Sequence, residues 1–308
     1  MSNFNSNLKQ QDADSYDPVV SQFDHFTTRL SEPLAAHLLN LAGISVSDRV
    51  LDVGTGTGVV ALQIPQFPGF RGRVAAIDLS EGMLAHAKHK AHQQGSDKII
   101  DFYKMDAEKL DFEGSSFDKV VSLYAVHHFP SPKAALSEML RVLAPGGKLV
   151  IGVGSGPQLL SLSGIAAGFR HLKREWLKLR GKQLVAPEFL NRLAEKHLPR
   201  MSAESTHTVH HSLNNSNLCK LIKEVGFQLI ATDWQGHQAT LLTAEEFWEL
   251  QRTFSSTVRE RISQANKQNA ESLKADFLQV CHQVQTSGGS LVYPYAAFFI
   301  VAQHPSHL

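Results

Sequence analysis

The stretch Arg49–Leu62 constrains the fold of this chain more strongly than any other part of the sequence. It reads Arg-Val-Leu-Asp-Val-Gly-Thr-Gly-Thr-Gly-Val-Val-Ala-Leu. The apolar run at its start predicts a buried strand of a parallel sheet. Gly54, Gly56 and Gly58 predict a sharp turn whose backbone approaches a ligand closely. The apolar run that follows can start a helix whose first N–H groups face the same ligand, so an α/β fold is predicted.

Two classes of cofactor are bound by turns of this kind. Gly56-x-Gly58-x-x-Ala61 satisfies the loose dinucleotide fingerprint, which alone is a weak signal for an NAD-dependent oxidoreductase. Asp52 argues against that class, because its carboxylate would face a pyrophosphate with like charge. It suits a ligand that carries an ammonium and a sulfonium. The pattern Asp-x-Gly-x-Gly-x-Gly resembles motif I of the class I S-adenosylmethionine (SAM)-dependent methyltransferases.

The composition excludes several other classes of protein. The chain has 308 residues and a formal net charge of +1, so no global charge attracts nucleic acid or anionic lipid. Its two cysteines, Cys219 and Cys281, lack metal-ligand spacing, so neither a disulfide framework nor a metal site is predicted. No apolar segment reaches the roughly 18 residues that a membrane span requires. The polar first residues do not resemble a signal peptide, and a cytoplasmic setting is expected.

A second stretch carries the same resemblance. Arg141-Val-Leu-Ala-Pro-Gly-Gly precedes an apolar strand and matches a family signature that NAD-binding sheets do not usually carry. Proline and paired glycines end a helix here and reverse the chain. The resemblance covers Val50–Val153 tightly. It implies a Rossmann-like, seven-stranded, mostly parallel sheet with an antiparallel last strand, helices on both faces and helical cap insertions. The other predicted strands are Arg73–Asp78, Ile99–Tyr103, Phe117–Leu123, Phe227–Trp234 and Tyr293–Val301, the last pairing only after Pro294.

Two further acids follow predicted strands. Asp78 lies 20 residues after Gly58, where nucleoside-binding sheets place a carboxylate on ribose hydroxyls. Its other role would be a helix N-cap, for which Ser80 is better suited. The resemblance implies that Asp106 accepts a hydrogen bond from the adenine amino group. The alternative is that Asp106 is an ordinary turn residue. The full set of cofactor-binding residues that it implies is Asp52, Gly54, Thr55, Gly56, Gly58, Asp78, Leu79, Met83, Asp106, Ala107 and Leu123.

Histidines are the candidates for a catalytic base. His127 and His128 follow the fourth strand, whose end lies nearest the transferred methyl group in this family, where such a pair is often structural. His211 lies in the run His207-x-x-His210-His211, for which polar loop residues are the alternative. The region after the fourth strand lacks the Asp/Asn-Pro-Pro-Tyr/Phe signature of enzymes that methylate exocyclic base amines.

The chain divides into four predicted parts. Pro33 suits the first turn of a helix, so the N-terminal part should contain two helices split near Ser31. The helical insertion near the C-terminal end should break into two helices within Gln264–Ala270, because that stretch is polar. The parts are lid helices at 1–43, a SAM-binding core at 44–154, a helical substrate cap at 155–215, and core completion at 216–308 with a helical insertion at 243–286.

Aromatic residues are the candidate substrate contacts, with ordinary core packing as the alternative for each. The resemblance suggests Tyr16 and Phe23 as lid residues, because N-terminal helices often close over the cofactor in this family. Aromatics near the fourth strand and in the two insertions would line the acceptor pocket. These candidates are Tyr124, Phe169, Trp176 and Trp248.

The first insertion also carries a basic amphipathic pattern. Its apolar stripe includes Leu172 and Trp176 at helical spacing, and basic residues surround it. The stripe is predicted to pack against the sheet with its charges solvated. An anionic membrane or an acidic carrier protein that delivers a tethered substrate are the alternatives.

The resemblance therefore implies methyl transfer from SAM to a small, fairly apolar or aromatic metabolite. It is strongest to the ubiquinone/menaquinone C-methyltransferase-like branch (methyltransferase type 11 or 25) and to natural-product methyltransferases. Oxygen or carbon acceptors are expected, with N-methylation or a carrier-tethered substrate as alternatives. A SAM-binding protein without transferase activity is the alternative of another class. A homodimer is left open.

Overall fold

The computed structural model describes residues 9–10, 13–155, 172–173, 176–177, 180–198, 214–241, 243–254 and 256–306. The chain separates into two compact units. The first comprises Met1–Ser155, Thr208–Gln235 and Ala297–Leu308, and the second comprises Gly156–His207 and Gly236–Ala296. The strands are β1 Arg49–Val53, β2 Arg73–Asp78, β3 Ile100–Lys104, β4 Phe117–Leu123, β5 Leu143–Gly154, β6 Gln183–Val185, β7 Gln228–Leu241 and β8 Ser290–Gln303.

A mostly parallel sheet organises the first unit. Its order is β3-β2-β1-β4-β5-β8, and β7 and β6 also pair with β8, so the described residues contain eight paired strands rather than the seven expected. Strands β1 to β5 are parallel, whereas β8 runs antiparallel to β5 from Lys148↔Gln303 to Gly154↔Ala297. The predicted α/β fold with an antiparallel last strand is confirmed. Val50, Leu51 and Val120 are fully buried, which explains why the central strands read as continuous apolar runs.

Helices surround this sheet and build most of the second unit. In chain order they are α1 Val20–Ala42, α2 Glu81–Gln93, α3 Pro132–Val142, α4 Ala186–His197, α5 Asn215–Val225, α6 Ala244–Phe254, α7 Ser256–Gln264 and α8 Lys267–Thr286. Short 3-10 helices occupy Asp17–Val19, Ala61–Gln66 and Val126–His128. Among the described residues, no helix combines the length and the apolar character needed to cross a membrane.

Helix α1 is continuous, so the split predicted near Ser31 is wrong. Pro33 lies inside the helix. Its missing N–H and its ring cost about 3 kcal/mol in a helix interior. Leu30, Leu34 and Leu38 form one buried stripe on both sides of it, and burying each such side chain contributes about 1.5–3 kcal/mol. The stripe outweighs the proline and keeps the helix intact.

In the second unit, pairing of β8 begins earlier than predicted. Strand β6 pairs in parallel with Ser290–Val292, upstream of Pro294. The expectation that pairing starts after this proline is therefore wrong. Pro294 lies between the segment paired with β6 and the segment paired with β5, so its missing N–H removes no bond from either ladder.

The helical insertion of the second unit breaks where its polar middle predicts. Helix α7 ends at Gln264, and Asn266 caps α8 by accepting a hydrogen bond from the Asn269 N–H at 2.8 Å. Within the described residues, the helical segments of this insertion are α6, α7 and α8, and the predicted break is the one between α7 and α8. Phe277 centres the packing of this unit. Its ring lies 5.2–5.6 Å, centroid to centroid, from those of Phe189, Phe247 and Trp248.

The basic amphipathic stripe is uncovered at two described positions. Leu172 is 66% exposed and Trp176 is 50% exposed. The prediction that the stripe packs with its apolar side chains buried is therefore wrong at both. The sequence pattern marks an apolar face but does not say what covers it.

Candidate functional site

The glycine turn joins the ends of β1 and β2. The N–H groups of Gly54 and Thr55 both donate to the Ile77 carbonyl oxygen at 2.9 Å. Gly54 has a φ of +73°, and a Cβ atom there would overlap the Cβ atom of Ala125. Only glycine satisfies both conditions, so the residue type is dictated by backbone conformation and close approach together.

Asp52 is buried directly beneath this turn, with 1% of its surface exposed. Its Oδ2 accepts hydrogen bonds from Thr55 Oγ1 at 2.7 Å and from the Ala61 N–H at 3.2 Å. Its buried Oδ1 accepts none from the described residues. Burial raises the pKa of Asp52 to about 7, and the charge of Asp78 adds to the rise, whereas the bonds from Thr55 and Ala61 oppose it. A buried acceptor without a partner is costly, and a cationic donor would relieve that cost.

Asp78 ends β2 and holds the turn from the other side. Its Oδ2 accepts from the Gly56 N–H at 2.8 Å, and its Oδ1 accepts from the Ser80 N–H at 3.0 Å. Desolvation raises the pKa of Asp78. The hydrogen bonds from backbone N–H groups and the charge of His128 lower it, but the net effect is a raised pKa. Ser80, not Asp78, caps α2, because its Oγ accepts from the Met83 N–H at 3.0 Å.

Asp106 follows β3 and lies in a small charged cluster. Lys9 Nζ is 2.8 Å from Asp106 Oδ2 and 2.6 Å from Glu108 Oε2. The other oxygen of Asp106 accepts from the Glu108 N–H at 2.9 Å, and Ala107 between them is buried. Burial lowers the pKa of Lys9, but the two carboxylates outweigh it and the pKa is raised. The contribution of Lys9 is not visible in the sequence, because 97 residues separate it from Asp106.

Residues at and just before the start of α1 lie against the glycine turn. The Tyr16 ring packs edge-on against Phe23, with centroids 5.5 Å apart, and against His128 at 6.1 Å. The nearest Phe23 ring atom is 4.0 Å from where a Cβ atom of Gly56 would stand. Asp17 Oδ1 accepts from Ser80 Oγ at 2.6 Å. The two predicted lid aromatics are thus brought to the turn, with Asp17 as a contact that the sequence did not reveal.

The end of β4 lies beside these groups. Leu123 is buried, and the next residue, Tyr124, has a φ of +61°, which is rare for a residue with a side chain. Its N–H donates to the Gly152 carbonyl oxygen at 2.7 Å. Conformations of this kind concentrate at functional sites. His127 and His128 follow in a 3-10 helix, and both are half-buried.

The remaining candidates are placed as follows. Leu79 donates its N–H to Asp78, and Met83 is buried in the first turn of α2. Trp248 lies in the core of the second unit, and Trp176 lies on the surface of the same unit. His211 and Phe169 lie outside the described residues. The structure therefore gathers the cofactor candidates and Tyr16, Phe23, Tyr124, His127 and His128 in the first unit.

The part of the chain that contains the glycine turn is similar to a known protein family. Residues 51–151, which contain most of β1, all of β2 to β4 and most of β5, match the family described as "Methyltransferase domain". Residues 51–151 form a methyltransferase domain. The glycine turn and the acids after β2 and β3 all lie within this methyltransferase domain, whereas the second unit lies outside it.

Individual relatives support the methyltransferase domain and differ in what they methylate. A phosphatidylethanolamine N-methyltransferase of Cereibacter sphaeroides is 42% identical over 103 residues, 33% of this chain and 49% of that protein. A ubiquinone/menaquinone biosynthesis C-methyltransferase of Pseudomonas putida is 35% identical over 113 residues, 37% of this chain and 44% of that protein. The chain thus spans about half the length of these curated relatives.

A solved structure extends the likeness in fold. A protein of Bacillus halodurans C-125 described as a methyltransferase superposes with a TM-score of 0.54, 88% of this chain and 99% of that chain being covered. The two are 21% identical, so this likeness concerns the fold alone.

Proposed function

We propose that the chain transfers a methyl group from SAM to a small, fairly apolar or aromatic metabolite. The observation that carries the proposal is the unpartnered Oδ1 of buried Asp52 at the glycine turn. A dinucleotide would bring a pyrophosphate to this acid, which like charge disfavours. SAM would bring an ammonium, for which a buried carboxylate oxygen is a fitting acceptor.

The residues present fit SAM at both ends. Asp52 would hold the ammonium, Asp78 the ribose hydroxyls and Asp106 the adenine amino group, with Phe23 and Tyr16 covering the turn. Bound SAM supplies an electrophilic methyl group on a cationic sulfur. The chain's own contribution would be to align the acceptor and exclude water, and alignment alone can supply up to about 7–11 kcal/mol.

For the acceptor, we propose methylation at oxygen or carbon. The relative that methylates carbon during ubiquinone and menaquinone biosynthesis supports this choice, whereas the phosphatidylethanolamine N-methyltransferase supports nitrogen as the alternative. If the acceptor must lose a proton, His128 is the proposed base, because its ring packs against Tyr16 and its charge acts on the Asp78 carboxylate. A positioned base would add about 10²–10⁴-fold.

The test is a screen of phenolic, quinone and polyketide-like acceptors with methyl-labelled SAM. The release of S-adenosylhomocysteine is measured for each acceptor. Amine lipids and a carrier-tethered acceptor form the second and third arms. Label transferred to a phenol or ring carbon supports the proposal. Label transferred only to an amine supports the N-methyltransferase alternative. Tight SAM binding without product from any acceptor supports a SAM-binding protein instead.

Affinity for SAM should rise with pH through the pKa of Asp52. Only the ionised carboxylate attracts the ammonium, and that pKa is about 7 in the ligand-free protein. Affinity should therefore increase by about tenfold between pH 5.5 and 7, as the ionised fraction grows. Isothermal calorimetry at several pH values measures this dependence. Asp52→Asn should abolish it, and Asp101→Asn, an exposed acid on β3, should preserve it.

The same raised pKa sets the sign of a stability effect. Between the ordinary value of 3.8 and about 7, the native state keeps a proton on Asp52 that the unfolded chain has released. The contribution of Asp52 to the free energy of unfolding therefore falls as pH rises through this window. A pH dependence of affinity that persists in Asp52→Asn would contradict the assignment of the ammonium to this residue.

Lys9 should slow release of the cofactor. Its ammonium bridges Asp106 and Glu108, so Lys9→Gln removes the contact that joins the N-terminal segment to the adenine end of the site. A loss of about 1 kcal/mol predicts roughly fivefold faster dissociation with little change in association. A chase of labelled SAM by excess unlabelled SAM measures the rate. Lys220→Gln, an exposed lysine on α5, is the matched control, and equal dissociation rates for the two variants would exclude this role for Lys9.

A further inference from the structure

One short helical region of the second unit presents apolar and cationic side chains together. The backbone is helical at Leu172–Lys173 and at Trp176–Leu177, and the Arg180 N–H donates to the Trp176 carbonyl oxygen. Leu172 and Trp176 are four residues apart, the spacing at which two helical residues face the same side. We call the surface formed by Leu172, Lys173, Trp176 and Arg180 the Trp176 face.

The Trp176 face is both exposed and positively charged. Leu172 and Trp176 are 66% and 50% exposed, and Lys173 and Arg180 are exposed as well. The Arg180 guanidinium carbon lies 4.0 Å from the centroid of the indole ring. Such a stack places the charge over the face of the ring rather than beside its edge.

The sequence around the Trp176 face concentrates positive charge locally. Between positions 170 and 182 it contains six basic residues and one acid, Glu175, although the net charge of the whole chain is +1. The basic residues are Arg170, Lys173, Arg174, Lys178, Arg180 and Lys182. A cluster of this density attracts anionic surfaces even where the protein as a whole does not.

We infer that the Trp176 face binds the surface of an anionic lipid bilayer. An indole ring with a cation stacked on it matches the boundary between acyl chains and phosphate headgroups, where tryptophan is enriched. Leucine supplies apolar area for the acyl side, and Lys173 reaches the headgroups along its own methylene chain. A second copy of the chain fits this surface less well, because a symmetric dimer would place two clusters of like charge opposite each other.

The inference goes beyond the proposed function and is tested without SAM or an acceptor. The chain has three tryptophans. Trp234 and Trp248 are 5% and 4% exposed, so Trp176 alone can pass from water into a membrane interface without unfolding. Intrinsic fluorescence is therefore a direct readout of the Trp176 face. The protein is titrated with vesicles of equal parts phosphatidylglycerol and phosphatidylcholine, and with vesicles of phosphatidylcholine alone, and flotation is measured in parallel.

Anionic vesicles should shift the emission to shorter wavelength and carry the protein upward on flotation, with little effect from phosphatidylcholine. Lys173→Gln should weaken binding by about fivefold. Leu172→Ser should weaken it without changing its salt dependence, and Trp176→Phe should bind but lose the shift. Ile230→Ser, an equally exposed apolar residue of the first unit, and Lys220→Gln are matched controls that should bind as the wild type does. Circular dichroism verifies folding of each variant.

Several results would overturn the inference. One is that anionic vesicles neither shift the tryptophan emission nor carry the protein upward on flotation. Another is that the control substitutions weaken vesicle binding as much as those of the Trp176 face. A shift with soluble polyglutamate that exceeds the shift with vesicles would assign the Trp176 face to an acidic protein instead. A shift that depends on protein concentration before any vesicle is added would assign it to a second copy. The proposed methyl transfer is unaffected by any of these results.

Discussion

Replacing Asp78 with alanine should weaken SAM binding by about ten- to a hundredfold. Hydrogen bonds between a carboxylate and ribose hydroxyls contribute roughly 1.5–3 kcal/mol, and about 1.4 kcal/mol corresponds to tenfold in affinity. The structure adds a second reason. The same carboxylate accepts the N–H groups of Gly56 and Ser80, so the turn also loses support in the variant. Isothermal calorimetry with SAM and with S-adenosylhomocysteine measures the loss.

The two reasons can be separated by changing the ligand. Analogues of S-adenosylhomocysteine that lack one ribose hydroxyl should bind the wild type more weakly than the parent compound. If Asp78 contacts the ribose, Asp78→Ala should discriminate little between parent and analogue, because the contact is already gone. If Asp78 only supports the turn, both proteins should discriminate equally. Asp101→Ala removes an exposed carboxylate from the neighbouring strand and should leave all these affinities unchanged.

The parts of the fold that could be predicted from the sequence are those specified by local patterns. Strand β1 and its glycine turn lie in one short stretch where apolar burial, positive φ and close approach all act on neighbouring residues. Asp78 could be found because it ends an apolar strand at a regular spacing from Gly58. The cap of α2 by Ser80 follows from the same kind of local chemistry.

The parts that could not be predicted depend on residues distant in the chain. Lys9 meets Asp106 across 97 positions, and no periodicity announces such a pair. The local preference of Pro33 predicts a helix break, yet the buried apolar stripe of α1 keeps the helix continuous. The stripe at Leu172 and Trp176 shows the converse. Helical spacing of apolar residues reveals a face, but burial depends on what other segments supply, and here both side chains are exposed.

Gly54→Ala should be among the most destabilising single substitutions at the turn, at about 2–5 kcal/mol. An alanine held at the φ of +73° costs roughly 1–2 kcal/mol. Its Cβ atom would also overlap the Cβ atom of Ala125, which forces a shift of packed backbone that costs about 1–3 kcal/mol. Urea denaturation measures the loss, and SAM binding should weaken in parallel because Gly54 joins β1 to the turn that we propose holds the cofactor.

A matched glycine separates the two costs. Gly95 has a φ of +67°, but nothing lies within 4 Å of the position where its Cβ atom would stand. Gly95→Ala should therefore lose only the conformational part, and the difference between the two variants reports the collision with Ala125. Adding Ala125→Gly to Gly54→Ala should recover roughly the 1–3 kcal/mol of overlap, less the cost of a new glycine. Equal stability of Gly54→Ala and Gly95→Ala would show instead that the loop after β4 yields freely, and that the turn owes its glycine to backbone conformation alone.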